Sequence, residues 1–136
     1  MARSMLALAI AATATAALGG AARAATPVKA TLTVTSTSPA VGVRWRWTVR
    51  TVSGGMPARA TVKIQILLGG AVVGCWKGGR MQPCAGPLAG DPIPSRGTVS
   101  KPITWTAQSR GVPLTFQAVV TAGGRTQRLR AQLRVR

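Results

Sequence analysis

The feature that most constrains the fold is a two-residue alternation of apolar and polar side chains along much of the chain. Residues 43–50 set Val43, Trp45, Trp47 and Val49 against Arg44, Arg46, Thr48 and Arg50. Successive side chains of a β-strand point to opposite faces, so this pattern predicts a strand with one buried and one solvated face. A helix would need apolar residues every three or four positions, and no stretch shows that period well.

Six other segments also predict strands. Alternation is strong in residues 60–68, 112–120 and 128–136, and weaker in residues 30–35, 71–75 and 98–106. In residues 60–68 it places Thr61, Lys63 and Gln65 on the solvated face. Gly54-Gly55, Gly69-Gly70 and Gly123-Gly124 separate neighbouring segments, and the last pair predicts a two-residue hairpin turn. Residues 78–97 contain four prolines and predict an irregular excursion.

About seven short alternating strands in a chain of this size predict an all-β fold, an antiparallel two-sheet sandwich. A small closed β-barrel is the alternative, because it uses the same alternation. Composition marks no linker, no internal repeat and no second domain. Residues 25–136 are therefore predicted to form one domain.

Residues 27–136 resemble the immunoglobulin-like and fibronectin-III-like domains of secreted bacterial proteins. The resemblance rests on strand number, alternation and the Trp45/Trp47 pair on an early strand. The cysteine–tryptophan–cysteine spacing of antibody domains is absent, because Cys75 and Cys84 both follow that strand, and there is no tyrosine for a tyrosine corner. The resemblance implies an immunoglobulin-like sandwich and no functional residue.

The N-terminus predicts a secretory leader. Arg3 precedes an apolar stretch over residues 5–18, and Ala22-Arg23-Ala24 has the small-x-small pattern that signal peptidase recognises. The stretch is shorter than the roughly 20 residues of a membrane-spanning helix, so no transmembrane segment is expected. A short amphipathic helix is the alternative. Cleavage after Ala24 would remove residues 1–24, lower the formal charge from +17 to +15 and give a secreted, extracellular protein.

Cys75 and Cys84 are the only cysteines and lie nine residues apart in a turn-rich stretch. In an oxidising compartment a disulfide between them is expected, and closing so short a loop stabilises a fold by about 2–3 kcal/mol. The alternative is a metal site, but two thiolates without histidine or further cysteine do not complete a tetrahedral zinc shell. The spacing also differs from the Cys-x-x-Cys of redox enzymes.

Acidic residues are nearly absent. The chain has 18 Lys and Arg against the single acid Asp91, and it lacks histidine, glutamate, asparagine and tyrosine. General acid–base catalysis, catalytic triads and calcium sites draw on these missing residue types. Asp91 lies between Gly90 and Pro92, a typical turn position. The sequence therefore predicts no enzyme, no metal site and no cofactor.

Arginines form two rows on the solvated faces of predicted strands. The rows are Arg44, Arg46 and Arg50, and Arg128, Arg130, Arg134 and Arg136. If the two strands are neighbours in one sheet, the rows merge into one basic plate. Because arginine binds phosphate, sulfate or carboxylate bidentately, such a surface attracts polyanions. The alternative is that both rows are only solvated strand faces in an arginine-rich composition.

The aromatic residues argue against nucleic-acid binding. Single-strand binders set exposed aromatics among basic residues, whereas Trp45 and Trp47 face away from the arginines between them. Trp76 is different, because it lies beside Lys77 and near Arg80 in the predicted disulfide loop. These three residues are a candidate contact site of that loop. The alternative is that Trp76 caps one end of the core.

These observations favour a non-catalytic secreted immunoglobulin-like module that associates with an anionic cell-wall polymer or polysaccharide, or with another anionic envelope surface. The alternative is a structural or protein-interaction domain without a specific polyanion ligand, whose charge serves solubility. A membrane-active cationic protein is a third hypothesis, weakened because no amphipathic helix is predicted.

A fusion of residues 1–30 to a reporter enzyme tests the leader. We expect the fusion to be exported and to begin at Ala25, because the apolar stretch and the cleavage site both lie in the fused segment. N-terminal sequencing of the exported reporter measures the cleavage position. A reporter retained in the cytoplasm would show that the prediction is wrong, and Ala24→Lys, which should block cleavage, is the control.

Overall fold

The computed structural model describes residues 26–136 as two antiparallel β-sheets packed together. The first sheet contains β1 (Lys29–Val34), β2 (Arg44–Ser53), β3 (Met56–Pro57) and β8 (Thr98–Thr104). The second contains β4 (Ala60–Leu68), β5 (Ala71–Lys77), β6 (Arg80–Pro83), β7 (Ile93–Ser95), β9 (Pro113–Ala122) and β10 (Arg125–Arg134). The predicted leader, residues 1–24, lies outside the described residues.

The strand order places long central strands in the middle of each layer. In the first sheet β2 pairs with β1 on one side and with β8 and the short β3 on the other. In the second sheet the order is β10-β9-β4-β5-β6, and β7 pairs with the start of β4. The predicted all-β antiparallel sandwich is confirmed, and the closed-barrel alternative is not adopted.

Aromatic side chains fill the centre of the space between the sheets. Trp45 and Trp47 of β2 are 2% and 0% exposed, as the alternation predicts. The Trp45 ring meets Phe116 of β9 edge to face, with centroids 5.2 Å apart, and meets Trp105 in the same way at 5.4 Å. Such pairs add about 0.5–1.5 kcal/mol each beyond the area they bury. Burying these rings leaves the alternate residues of β2 on the outer face.

All seven predicted segments overlap strands of the structure. The strands and exposed residues that the sequence did not predict have local explanations. β3, β6 and β7 are only two to four residues long, too short for alternation to reveal. Val43 was expected in the buried row, but it precedes β2 and is 57% exposed. Leu68, the last residue of β4, was also expected to be buried and is 42% exposed, since it lies at an opening between the sheets.

Within residues 26–136, four Gly-Gly pairs form tight turns between consecutive strands, at residues 54–55, 69–70, 78–79 and 123–124. Both glycines of each pair have positive φ, the conformation of a type I′ hairpin turn, which glycine adopts without a steric cost. The hairpin expected at Gly123-Gly124 is confirmed, because it joins β9 to β10. The turn at Gly78-Gly79, between β5 and β6, was not predicted from the sequence.

One side of the sandwich is closed by backbone hydrogen bonds between the layers. Arg136 donates its N–H to the Pro39 carbonyl at 2.9 Å, and its own carbonyl accepts the Val41 N–H at 3.1 Å. This pairing is parallel and attaches the segment after β1 to the end of β10. The Gln127 side chain adds a bond from Nε2 to the Val28 carbonyl at 2.8 Å. The first sheet is therefore fixed against the β10 side of the second.

Gly97, which joins β7 of one sheet to β8 of the other, is a position where only glycine fits. Its φ is +133°, and a Cβ there would lie 2.6 Å from the Pro57 Cβ. We expect Gly97→Ala to lower the free energy of unfolding by about 2–5 kcal/mol, through backbone strain and overpacking. Urea denaturation measures the change.

Gly111→Ala is the matched control, because Gly111 has φ +76° but open space around the added Cβ. Backbone strain alone should cost about 1–2 kcal/mol there. Equal losses for the two variants would show that the contact with Pro57 does not matter.

Candidate anion-binding faces

The outer face of the first sheet carries one arginine row. Arg44, Arg46 and Arg50 are all exposed on β2, since Trp45, Trp47 and Val49 of the same strand face the core. In register beside them lie hydroxyl side chains of the neighbouring strands, Thr31 and Thr33 on β1 and Thr98, Ser100 and Thr104 on β8. Arg46 Nη1 donates to Ser100 Oγ at 3.1 Å, and that hydroxyl donates onward to the Trp47 carbonyl at 2.9 Å. The face combines three guanidinium groups with neutral hydroxyls.

The outer face of the second sheet carries the other row. Arg128, Arg130 and Arg134 are exposed at alternate positions of the edge strand β10, and Arg136 follows its end. Three of these guanidinium groups bind neutral acceptors: Arg130 Nε donates to Gln117 Oε1 at 2.7 Å, Arg134 Nη1 to the Gly111 carbonyl at 3.0 Å, and Arg136 Nε to the Ser38 carbonyl at 2.8 Å. These bonds orient the side chains without neutralising them.

The two rows do not form one basic plate. β2 belongs to the first sheet and β10 to the second, so the condition under which the rows would merge is not met. The cause is the strand order, because β1 pairs with β2 and lies between it and the β10 side of the sandwich. In the part of the chain that the structure describes, the two rows therefore form two separate arginine faces, named here the β2 face and the β10 face.

The positive charge of both faces is uncompensated. Asp91 is the only acidic side chain of the protein, and its Oδ2 accepts the backbone N–H of Gly78 at 2.8 Å. Within residues 26–136 no Lys or Arg forms an ion pair with it. Because opposite charge is missing nearby, the potential over both faces stays positive and attracts anions.

The segment around Trp76 is a strand and not a loop. Trp76 lies in β5, half-buried and packed against the core, which agrees with the alternative that it caps the core. Lys77 and Arg80 flank the Gly78-Gly79 turn and are exposed. Trp76 and Arg80 line one shallow depression together with Pro102 of β8. The three residues thus lie near one another, but they present only two exposed cations.

The Cys75–Cys84 disulfide is present, with the two Cα atoms 5.6 Å apart. It attaches residues 84–91, named here the covering loop, to the outer face of the second sheet. Gln65 of β4 holds the same loop, because its Nε2 donates to the Pro87 and Ala89 carbonyls at 2.9 Å each. Lys63 Nζ donates to the Leu88 carbonyl at 3.3 Å. The irregular excursion is therefore fixed at several points.

The expectation that Gln65 is solvated is wrong, since the covering loop leaves it 1% exposed. Gln65 Oε1 accepts from Gln117 Nε2 at 2.9 Å, and Gln117 Oε1 accepts from Arg130. A chain of polar groups thus runs from the β10 face to the covering loop. Buried amides need such partners, because leaving one unpaired costs about 1–3 kcal/mol.

A pocket of about 230 Å³ lies between β4, β9, β10 and the covering loop. We name it the threonine pocket, after Thr61, Thr121 and Thr126, which line it together with Lys63 and Arg128. The Thr121 and Thr126 hydroxyl oxygens are 3.3 Å apart. The alternation correctly placed Thr61 and Lys63 on the outer face, but no sequence signal showed that β10 brings Arg128 and Thr126 beside them.

An apolar groove of about 380 Å³ opens on the side opposite the closed one, between β8 and the β5–β6 hairpin. Ile66, Met81 and Leu114 form part of its lining, and Leu68 and Val73 are 42% and 40% exposed in it. The groove offers apolar contact area without charge.

The sequence matches no protein-family model, and no curated protein is significantly similar to it. In the described part of the chain, no helix is long and apolar enough to span a membrane. Among the same residues no three His, Cys, Asp or Glu side chains are grouped as metal ligands.

Gln65→Leu tests whether the polar chain holds the covering loop. We expect the free energy of unfolding to fall by about 1–3 kcal/mol, because Gln117 and two loop carbonyls lose their partner. Limited proteolysis should also cut the covering loop faster. Gln132→Leu on the exposed side of β10 is the control, with an expected change under about 0.5 kcal/mol. Unchanged stability and proteolysis in Gln65→Leu would contradict the role of the network.

Proposed function

We propose that this protein is a non-catalytic, secreted, immunoglobulin-like module that associates with anionic cell-envelope polymers through its arginine faces. The observation that carries the proposal is that none of the seven exposed arginines on the two sheet faces has an acidic partner within residues 26–136. Four of them, Arg46, Arg130, Arg134 and Arg136, bind neutral oxygens. The single carboxylate side chain of the protein is held in a turn by the Gly78 N–H. A bound polyanion would supply the negative charge that these arginines do not find within the chain.

Strand geometry suits a repeating ligand. Alternate residues of a strand lie roughly 6.5–7 Å apart, so Arg44 and Arg46, or Arg128 and Arg130, can engage neighbouring anionic groups of one polymer. Each guanidinium binds phosphate or carboxylate through two N–H groups. Several weak contacts along one chain add up to a useful affinity, and each releases counterions.

The immunoglobulin-like description is supported by strand order. Taking β1, β2, β4, β8, β9 and β10 as strands A, B, C, E, F and G places A-B-E in one sheet and C-F-G in the other, the arrangement of that fold class. β5 and β6 extend the second sheet beside strand C. The arrangement supports the fold proposal and says nothing about a ligand.

Secretion and the lack of catalysis rest on separate observations. The intramolecular disulfide suits an oxidising compartment. The predicted leader would direct the chain to secretion. Catalysis by side chains is disfavoured because the chain has no histidine or glutamate to act as a base.

The second candidate is a protein-interaction domain without a polyanion ligand. The apolar groove favours it, because Leu68 and Val73 are exposed there beside the edges of two sheets. A partner polypeptide would bury them, and its binding would depend little on salt. Salt dependence therefore distinguishes the two candidates.

Charge removal on each face tests the proposed function. We expect Arg44→Gln/Arg46→Gln/Arg50→Gln and Arg128→Gln/Arg130→Gln/Arg134→Gln each to weaken retention on immobilised heparin. In a plot of log affinity against log salt, each triple should reduce the slope by about 2–3, because three fewer cations displace counterions. Salt-gradient elution and titration at several salt concentrations measure the effect.

Arg59→Gln/Lys77→Gln/Arg80→Gln is the matched control, since it removes the same charge from exposed positions outside both faces. We expect it to change the slope by less than either triple. If all three variants lose affinity equally, net charge alone drives retention and the arginine faces are not the site. If wild-type protein elutes well below physiological salt, the polyanion proposal fails altogether.

A further inference from the structure

We propose that the threonine pocket binds the phosphate ester of a hydroxyl-bearing unit, such as a phosphorylated polyol or sugar. This inference rests on the proposed function, because it names the repeating unit that the β10 face would recognise. The pocket offers hydroxyl groups in one row and cations in the next. That combination fits a ligand with an oxyanion beside hydroxyl groups better than it fits an anion alone.

The pairing register of β4, β9 and β10 places the hydroxyl row and the cation row beside each other. Thr121 of β9 is paired with Thr61 of β4 and with Thr126 of β10, so three hydroxyls cross the sheet in line. The next outward-facing row contains Lys63, Val119 and Arg128. Neighbouring strands lie about 4.8 Å apart, which places the Lys63 and Arg128 Cα atoms roughly 10 Å apart, with the threonine row about 7 Å further along.

Each group has a chemical task in this arrangement. Lys63 keeps two of its three ammonium donors after binding the Leu88 carbonyl. Within residues 26–136 the Arg128 guanidinium makes no hydrogen bond, unlike those of its neighbours Arg130 and Arg134. The two cations can approach a phosphate from opposite sides. Threonine hydroxyls both donate and accept, as recognition of ligand hydroxyls requires.

The covering loop forms one wall of the threonine pocket. Pro87 and Leu88 line it, and the disulfide, Gln65 and Lys63 fix the loop that carries them. A wall that is already ordered lowers the entropy lost on binding. Aliphatic Val119 and Leu88 can contact the C–H groups of a polyol or sugar. Among the described residues no aromatic side chain lines the pocket, so this lining lacks the stacking surface that a nucleotide base would use.

The volume fits one small unit, not a folded segment of polymer. At about 230 Å³ the pocket is below the usual range for drug-sized ligands, yet it opens onto the β10 face. A unit held in the pocket can therefore continue as a chain past Arg130 and Arg134. The arginines would bind successive anionic groups of the polymer, while the threonine pocket would form hydrogen bonds with the hydroxyl groups of one unit.

Glycerol 3-phosphate and glucose 6-phosphate, each compared with methyl phosphate, test the proposal on the disulfide-bonded protein. All three are phosphate monoesters of similar charge, and only the first two carry hydroxyl groups. Amide chemical shifts, followed in an NMR titration at constant ionic strength, give affinity and location. We expect at least one of the two to bind about three- to tenfold more tightly than methyl phosphate, the gain of one or two hydrogen bonds. The shifts should centre on residues 61–63, 119–121 and 126–128.

Thr121→Val/Thr126→Val should remove this preference, because valine keeps the strand and the shape but lacks the hydroxyl. Thr37→Val/Thr106→Val is the control and should keep the preference, because both threonines are exposed and lie outside the threonine pocket and both arginine faces. Whichever of glycerol 3-phosphate and glucose 6-phosphate binds more tightly identifies the source of the ester as a polyol or a sugar.

The failures of the two proposals are distinguishable. If neither hydroxyl-bearing ester binds better than methyl phosphate, or if the valine pair keeps the preference, the threonine pocket is not the recognition site. Heparin retention that still depends on the arginine triples would then leave the proposed function standing. If retention is independent of both triples, the polyanion function is wrong whatever the small esters do.

Discussion

The packing of Trp45 and Trp47 from one sheet against Phe116 of the other is the contact on which the arrangement of the molecule depends. These rings are the largest apolar groups of β2, and burying them fixes which face of that strand is inside. A register slip by one residue would drive Arg44 and Arg46 into the core and put both tryptophans in water. Burial of the tryptophans thereby fixes the side of the sheet on which the β2 arginines are exposed. The same packing therefore stabilises the fold and positions the charges of the β2 face.

A chain with one acidic side chain and 18 Lys and Arg must limit the repulsion between its cations, and two features of the structure do so. Guanidinium groups bind hydroxyl, amide and carbonyl oxygens, which satisfy their N–H groups and leave their charge in place. The two arginine rows are also separated onto opposite layers, which keeps most like charges well apart. At the free edge of the first sheet, Lys101 lies in the inward-facing row of β8 and Pro102 follows it. Inward charge and proline both oppose pairing with another chain.

Strand positions and the disulfide were predictable because both depend on local sequence. Alternation around Trp47 or Phe116 identifies a strand, and two cysteines nine residues apart leave one possible pairing within the chain. The separation of the arginine rows was not predictable, since it depends on which strands pair across long sequence distances. The burial of Gln65 was missed for a related reason. Its polar side chain belongs on a solvated face until residues 84–91 fold over it, and nothing near Gln65 in sequence signals that loop.

The covering loop links the covalent chemistry of the chain to the surface proposed to bind ligand. A short segment rich in glycine and proline has little apolar area with which to hold itself on a sheet, so the Cys75–Cys84 bond and the Gln65 amide do that work. The same loop supplies Pro87 and Leu88 as the wall of the threonine pocket. Because thiols stay reduced in the cytoplasm, the covalent attachment of this wall requires an oxidising compartment, which is where the proposed export would deliver the chain. On that proposal, the disulfide and the ligand would meet the protein in the same compartment.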